Sequence, residues 1–217
     1  MTSAPHTDPA AQSKYQVRFD WGVVGAERIA DGADVVVVVD VLGADWRAAQ
    51  RLPVGEHAAS QRQQDALLAV LPPQAAVLSA GFTTASAAAR WITERQHALG
   101  RRAMIAIVAA GGTSGTGGAA GAEAPGIRFA VENQLAAGAI IDALASLGTD
   151  YCSPEAAASC AAFTGLRGAV AHLLTASASA QQLVAAGVDA ATIRAAGALN
   201  TDSTVGILRA GIGAAEG

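Results

Sequence analysis

Runs of apolar residues along the chain predict buried strands separated by helices. Residues 15–21 alternate apolar and polar side chains, which suits a strand with one buried face near a sheet edge. Val35–Val39 is an unbroken run of β-branched residues, and such a run indicates a strand covered by helices on both faces. Further apolar runs occur at residues 76–78 and 104–108. We therefore predict that Val35–Val39 is a central strand flanked by strands at these two runs.

Small-residue turns and Ala-rich helical segments follow these strands. The helical segments end near Gly100 and Gly148, and the C-terminal third reads as mostly helical. Ser153 before Pro154 is a helix start signal, and Ser179 resembles the first residue of a capping box. The recurrence of strand, turn and helix predicts an α/β fold, with a mostly parallel sheet covered by helices on both faces and a helix-rich C-terminal third.

The length of 217 residues suits one domain, or two closely packed lobes. Residues 1–14 lack an apolar run and are predicted to form a flexible N-terminal tail, which leaves 15–217 as a single α/β domain. Residues 111–126 are rich in Gly and Ala, and we expect 113–125 to be a mobile, protease-sensitive loop. A weaker interpretation makes this loop part of a nucleotide-binding module.

The charge, hydropathy and cysteine content indicate which kinds of molecule this protein could bind and in which compartment it could work. The formal net charge of −4 and the pI near 5.5 exclude a broad basic field, so we expect no nucleic-acid partner. We also expect no membrane partner, because no uninterrupted apolar run reaches about 20 residues. Cys152 and Cys160 match neither a disulfide scaffold nor a zinc site, which favours a reduced cytoplasmic protein. The sequence leaves open whether the chain forms a homo-oligomer.

Two acidic residues occupy positions where chemistry is expected. Asp40 follows the valine run, and an ionised carboxylate there needs a metal, a cation or backbone donors. The alternative is that Asp40 caps a neighbouring loop. Glu132 lies in the first turn of a predicted helix, where an acid is favoured by the helix dipole without any function. Placement of Glu132 near Asp40 would make it a second metal ligand or a general acid or base.

Two turns follow predicted strands at the end where ligands are expected. Thr83 and Thr84 offer hydroxyls at a strand-to-helix turn, a natural anion site, although they are equally good as ordinary helix N-caps. Gly111 and Gly112 form a small-residue turn after the strand at 104–108. In open α/β sheets ligands bind beyond the carboxyl ends of the strands, where all of these turns are predicted to lie.

Several segments, taken in order, resemble the 2-phosphosulfolactate phosphatase family. They are Gln16-Val-Arg-Phe-Asp-Trp-Gly22, Ala33-Asp-Val-Val-Val-Val-Val-Asp-Val-Leu42, Ala85-Ser-Ala-Ala-Ala-Arg-Trp91, Ile107-Val-Ala-Ala-Gly111 and Phe129-Ala-Val-Glu-Asn-Gln-Leu-Ala-Ala-Gly-Ala-Ile-Ile141, followed by Ser153-Pro-Glu-Ala-Ala-Ala158 and the closing region 179–208. No single motif is specific, but their joint order and spacing cover nearly the whole chain.

The resemblance implies a Mg²⁺-dependent hydrolase of a small anionic phosphate monoester similar to 2-phosphosulfolactate. It implies Asp40 as principal metal ligand or acid–base group, with Glu132 as its acidic partner. The same resemblance implies that the phosphate is held by Thr83, Thr84 and the amides of Gly111 and Gly112. Arg47 is then expected to meet the second anionic group of the substrate.

The chain departs from the family's pattern at three places. Gly43 follows Leu42 where the family has Arg or Ser, Thr84 replaces an Asn, and the family's Glu-Asp pair appears as Glu132-Asn133. The third change removes one negative charge from the expected metal site. The alternative function is therefore a catalytically impaired member that binds a small anionic metabolite or a partner protein.

Overall fold

The computed structural model describes residues 8–43, 54–112 and 127–212. Within these residues the chain forms a five-stranded sheet in the order β1-β4-β2-β3-β5. The first four strands are parallel and β5 runs antiparallel to β3. The strands are β1 (Val17–Trp21), β2 (Val35–Val39), β3 (Ala76–Ala80), β4 (Ile105–Ala109) and β5 (Gly206–Arg209).

The valine run forms the centre of this sheet, as predicted. In β2, Val37 pairs with Leu78 of β3 on one side and with Ile107 of β4 on the other. All five residues of β2 are buried. Strand β1 lies at the edge of the sheet beside β4, also as predicted.

Helices cover both faces of the sheet, which confirms the predicted α/β class. Helices α1 and α2 pack on one face, and α3 and α4 pack on the other. The remaining helices follow α4 in the C-terminal third. The bounds are α1 (Gly22–Ile29), α2 (Val54–Val70), α3 (Ala85–Leu99), α4 (Val131–Ser146), α5 (Pro154–Leu166), α6 (Val170–Ala176), α7 (Ala178–Ala185) and α8 (Ala190–Ala195).

Strand β2 contributes to two separate hydrophobic cores. Val35, Val37 and Val39 join the core under α3 and α4, whereas Val36 and Val38 join the core under α1 and α2. This division follows from the two-residue period of a strand, which points successive side chains to opposite faces. Burying one valine contributes about 1.5–3 kcal/mol, so the run anchors both layers to the sheet.

A close helix crossing fixes α4 against α5. A Cβ atom added at Gly138 of α4 would overlap the carbonyl oxygen of Ser159 on α5. Ser159 also donates its hydroxyl to the carbonyl of Gln134, at 2.9 Å. Since only glycine permits this approach, Gly138 sets the position of α4, and Glu132 lies in the first turn of that helix.

Residues 8–14, predicted to belong to a flexible tail, pack on the edge strand. Pro9–Ala11 form a 3-10 turn and Gln12 is buried. The Gln12 amide accepts a hydrogen bond from the Phe19 N–H at 3.0 Å and donates one to the Phe19 carbonyl at 2.9 Å. Gln12 thus occupies backbone groups that an edge strand would otherwise expose. The composition of the segment gave no sign of this contact.

The helix start signals had mixed outcomes. Ser153 caps α5 as predicted, since its hydroxyl accepts the Ala156 N–H at 3.1 Å. The predicted capping box at Ser179 was wrong, because Ser177 caps α7 by accepting the Ala180 N–H.

One described stretch, Pro154–Ala185, is long and apolar enough by length and composition alone to cross a membrane. Its mean hydropathy is 1.2, and 22% of its most apolar window is buried. The stretch comprises α5, α6 and α7, with a 3-10 turn at Arg167–Ala169 and extended backbone at Ser177. The chain therefore changes direction between three short helices.

The loop predicted at 113–125 lies outside the described residues.

Candidate functional site

The topology creates a crevice at the carboxyl end of β2. The connections leaving β1 and β2 lead to α1 and α2 on one face, and those leaving β3 and β4 lead to α3 and α4 on the other. Strand β2 lies between β4 and β3, so its exit loop diverges from both neighbours. Open α/β sheets bind ligands at such switch points. Asp40 is the first residue after β2 and therefore lies at this crevice.

The Asp40 side chain packs over Gly43. The Gly43 N–H donates to the Asp40 carbonyl at 3.2 Å, which closes a tight turn after β2. A Cβ atom at position 43 would overlap the Asp40 carboxylate. The glycine that departs from the family pattern is thus required by the observed position of Asp40.

Glu132 lies on the same cleft as Asp40. Its side chain is only 3% exposed, and its Oε2 atom has no hydrogen-bond partner among the described residues. A buried carboxylate oxygen without a donor is costly, because desolvation of the charge is not compensated. Such an oxygen is consistent with a site that a ligand completes.

Asn133 explains how the two acids come together. Its Oδ1 atom accepts the Val41 N–H at 2.9 Å, although the two residues are 92 positions apart. This bond ties the first turn of α4 to the segment after β2 and so brings Glu132 to the cleft beside Asp40. The neutral amide performs this task without adding a third negative charge.

The cleft shared by the two acids is narrow, with a volume of about 20 Å³. Its other walls come from α2, the turn after β4, and α7. The lining residues outside Asp40 and Glu132 include Ser60, Gln63, Gly111, Gly112, Ser179 and Gln182. Gly111 has φ of +78°, and a Cβ atom there would overlap the Ile127 side chain. Glycine is therefore needed at 111 for both backbone and packing reasons.

The predicted Thr83-Thr84 turn lines a neighbouring cavity of about 170 Å³ that also contains Asp40. The Thr84 hydroxyl oxygen accepts the Gly81 N–H at 3.0 Å, so it already stabilises the turn. The Ser86 N–H at the start of α3 donates to Asn200 Oδ1 at 2.8 Å. The Gly81 and Ser86 N–H groups at this turn therefore already donate hydrogen bonds within the protein.

The second predicted anion turn is also partly occupied. The Gly112 N–H donates to the Arg128 carbonyl at 2.8 Å, so this amide does not point at a ligand as the sequence predicted. Gly112 instead leaves room for the Arg128 guanidinium, which a Cβ atom at 112 would overlap. Arg47, the predicted partner of a second anionic group, lies outside the described residues.

Sequence reasoning missed Arg128. Its Nη2 atom donates to the Ser179 hydroxyl at 2.8 Å, and Nη1 donates to the Phe129 carbonyl at 3.2 Å. Ser179 lines the acidic cleft, and Arg128 contacts the cleft through this residue and through Gly112. A signal was present, since Arg128 is the only basic residue between Gly112 and α4.

Asp40 and Glu132 are oxygen ligands of the kind that Mg²⁺ takes in proteins. Within residues 8–43, 54–112 and 127–212, no group of three or more His, Cys, Asp and Glu side chains could hold a metal ion. Mg²⁺ is commonly held by only one or two carboxylates, with waters and substrate phosphate completing its shell. Asp40 and Glu132, with the unpartnered Glu132 oxygen, fit that requirement.

Fold and cleft together define an α/β protein with an acidic cleft at the switch point of an open sheet. No protein-family model matches the chain, and no curated protein matches it. The resemblance to 2-phosphosulfolactate phosphatases therefore stays a prediction from the sequence.

Proposed function

We propose that the protein hydrolyses a small anionic phosphate monoester, similar to 2-phosphosulfolactate, with the help of Mg²⁺. The observation that carries this proposal is the pair of carboxylates, Asp40 and Glu132, on one cleft at the carboxyl end of β2. One of their oxygens is buried without a partner among the described residues.

The paired carboxylates favour a divalent cation at this position. Two nearby negative charges in a poorly solvated cleft repel each other, and a bound cation removes that repulsion. Mg²⁺ held by Asp40 and Glu132 would neutralise phosphate charge and orient the ester for in-line attack.

The chain supplies the remaining positioning groups. Gly43 and Asn133 hold the two carboxylates in place, the first by its small size and the second by its bond to the Val41 N–H. Thr83 and Thr84 line the adjoining cavity, where their hydroxyls can donate to an anionic substrate. Whichever carboxylate oxygen is not occupied by the cation can accept a proton from the attacking water.

A competing function is a binding protein of the same fold without turnover. Its support is Asn133, a neutral amide where the resembled family carries a second acid. Fewer charges would weaken cation binding and leave a site that recognises an anionic metabolite.

The test combines cation binding with turnover. We expect Mg²⁺ to raise the melting temperature of the wild-type protein, because a cation that binds only the native state stabilises it. Asp40→Asn should abolish most of that increase and also the hydrolysis of phosphorylated hydroxy acids. Asp150→Asn, which changes an exposed aspartate elsewhere, is the matched control.

Three results separate the two functions. Mg²⁺-dependent stabilisation together with Mg²⁺-dependent release of phosphate supports the phosphatase. Stabilisation without turnover of any phosphate ester supports the binding protein. Absence of both effects in the wild-type protein contradicts a cation site at Asp40 and Glu132.

A further inference from the structure

A further cavity, with a volume of about 330 Å³, lies between α3, α4 and the end of α5. The acidic cleft and the cavity at the Thr83-Thr84 turn are smaller, at about 20 and 170 Å³. The cavity shares no lining residue with either of them. Small-molecule sites in proteins have volumes from about 300 Å³ upwards, so this cavity has room for a small ligand.

The cavity exists because two helices face it with alanines. Ala85 and Ala89 of α3 and Ala139 and Ala143 of α4 line it, and Phe163 of α5 completes the wall. Alanine side chains leave empty the volume that larger side chains would fill. The wall is therefore apolar, and a ligand that covers it removes apolar surface from water, which favours binding. We call this space the alanine-lined cavity.

Two exposed arginines, Arg90 and Arg167, also line the alanine-lined cavity. Arg90 makes one long hydrogen bond, from Nη2 to the Ser203 carbonyl at 3.4 Å, and no described carboxylate forms an ion pair with it. Arg167 pairs with Asp142, which lines the same cavity, and its guanidinium carbon lies 4.9 Å from the centre of the Phe163 ring. Two positive groups and one negative group give the lining a net charge of about +1 at neutral pH.

One side of the cavity is fixed by the segment that follows α8. Asn200 lines the cavity, its N–H donates to the Phe82 carbonyl at 3.0 Å, and its Oδ1 atom accepts the Ser86 N–H at 2.8 Å. The Asp202 N–H donates to the Thr83 carbonyl at 2.9 Å. Because these bonds hold the segment against the start of α3 without a ligand, little further ordering is needed when a ligand binds.

The wall and the charges together indicate the chemical class of the ligand. The apolar wall suits an apolar body, and a net charge near +1 suits a ligand with a single negative charge. A carboxylate fits the second requirement, since the planar guanidinium fork donates to both of its oxygens. A phosphate dianion without an apolar body would leave the alanine wall uncovered.

We propose that the alanine-lined cavity binds a small carboxylic acid with an apolar body. The apolar body lies against the alanines and Phe163, and the carboxylate accepts hydrogen bonds from Arg90 and Arg167. This site is separate from the proposed phosphatase function, because it uses neither the acidic cleft nor the cavity at the Thr83-Thr84 turn.

The test uses 3-phenylpropionate as the probe, in an NMR titration of the ¹⁵N-labelled protein without Mg²⁺. We expect a Kd of about 1 mM or tighter, with the largest shifts at the N–H groups of Ala89, Arg90 and Ala143. Two control compounds separate the contributions. Phenylpropanol lacks the charge and acetate lacks the apolar body, so each should bind more weakly than 3-phenylpropionate.

Substitutions test the two halves of the site. Arg90→Gln should weaken binding about three- to fivefold, because it removes an exposed charge. Arg102→Gln, at an exposed position elsewhere, is its control and should bind as the wild-type protein does. Ala143→Leu should abolish binding by filling the cavity, without lowering the melting temperature. Ala145→Leu, at an exposed position on the same helix, is its control and should leave binding unchanged.

Binding that Ala143→Leu abolishes and Arg90→Gln weakens supports the proposal. Failure of the wild-type protein to bind 3-phenylpropionate overturns it, as does equal affinity for phenylpropanol. Shifts centred on Asp40 and Glu132 would also overturn it, since the ligand would then occupy the acidic cleft. If Ala143→Leu does not fold, Arg90→Gln and the position of the shifts decide the question. Loss of the proposed phosphatase function would not affect these results, because the titration contains neither Mg²⁺ nor a phosphate ester.

Discussion

Charged residues lie at both ends of the parallel strands, but their surroundings differ. At the amino end, the Arg18 guanidinium donates to the backbone carbonyls of Ser13, Tyr15, Ile29 and Asp31. Arg18 is only 4% exposed, and burial lowers the pKa of its guanidinium, an effect that the nearby Asp31 charge opposes. Its charge is nevertheless surrounded by acceptors.

Asp34, just before β2, is similarly satisfied. Arg101 donates to both of its carboxylate oxygens, at 2.7 and 2.8 Å, and the Met104 N–H donates at 2.8 Å. Burial alone would raise the pKa of Asp34, but these hydrogen bonds and the Arg101 charge lower it below its ordinary value.

At the carboxyl end, Glu132 and Arg128 each keep a buried polar atom without a partner among the described residues. Arg18 and Asp34 show that the fold can surround a buried charge with partners, although the buried Nε of Arg95, whose charge acts on Asp34, also lacks an acceptor among the described residues. The contrast therefore concerns individual residues: Arg18 and Asp34 are fully partnered, whereas Glu132 has the unpartnered oxygen expected where a ligand supplies the missing partner.

The largest effect on the free energy of unfolding should come from replacing Arg18, whose hydrogen bonds are made at the amino end of the sheet. Arg18→Met should lower the free energy of unfolding by about 3–5 kcal/mol, because several buried carbonyls lose their donor at once. Urea denaturation measures the loss. Arg18→Lys, which retains the charge and part of the donor set, should be less damaging. A loss below about 1 kcal/mol for Arg18→Met would show that water replaces these bonds easily.

A substitution of Glu132, at the carboxyl end of the sheet, should change the free energy of unfolding in the opposite direction. In buffer with a chelator, Glu132→Gln should raise the free energy of unfolding by about 1 kcal/mol, because it removes an uncompensated buried charge. The same variant should lose the stabilisation by Mg²⁺. Glu94→Gln, at an exposed position on α3, is the matched control for both measurements. Clear destabilisation by Glu132→Gln without metal would show that the Glu132 carboxylate is stabilised by partners within the folded protein.

The Asp34 ion pair should have a smaller, pH-dependent effect. Asp34→Asn should cost about 0.5–1 kcal/mol at pH 7, since Arg101 is exposed and the pair is screened by water. The folded-state pKa of Asp34 is lowered, so its contribution is complete above the unfolded-state pKa near 3.8. It is lost as the pH falls through the folded-state pKa.

Denaturation curves measured from pH 7 down to pH 2.5 test this sign. The wild-type protein and Asp34→Asn should differ most at neutral pH, and the difference should shrink in the acid range. A constant difference across the whole range would mean that the effect of the substitution is steric.

The smallest expected effect is on the alkylation rate of Cys152. The backbone of this residue forms an isolated β-bridge with Val17 at the amino end of β1. Burial, aided by Cys160 and Asp150, raises the pKa of the Cys152 thiol to about 11. In a Cys160→Ala background, the rate of iodoacetamide alkylation should still rise about tenfold per pH unit above pH 9, because only the thiolate reacts. A plateau near pH 9 would indicate an ordinary exposed thiol at position 152.

Local pattern was sufficient to predict much of the fold. The valine run predicted a buried strand, and Ser153-Pro154 predicted the start of α5, because each signal depends on residues close in sequence. Asp40 and Glu132 were recognised as candidates from their positions beside predicted elements. The functional roles assigned to them stay predictions.

Other features depend on contacts between distant residues. Gln12 pairs with Phe19 through its side chain, a contact that the composition of the first residues does not reveal. The choice of Ser177 over Ser179 as cap follows from packing, which directs Ser179 to Arg128, 51 positions away. Arg128 was overlooked because spacing alone does not show which side chains meet across a cleft.

The sequence by itself determined the α/β class, the central buried strand and the acids at the ends of the elements. It did so because side-chain period and helix capping are local consequences of backbone geometry. Only the tertiary structure decided the strand order, the bond between Asn133 and Val41, and the bond between Arg128 and Ser179. These depend on the path of the chain between elements and on side-chain packing, which bring together groups that no local pattern relates.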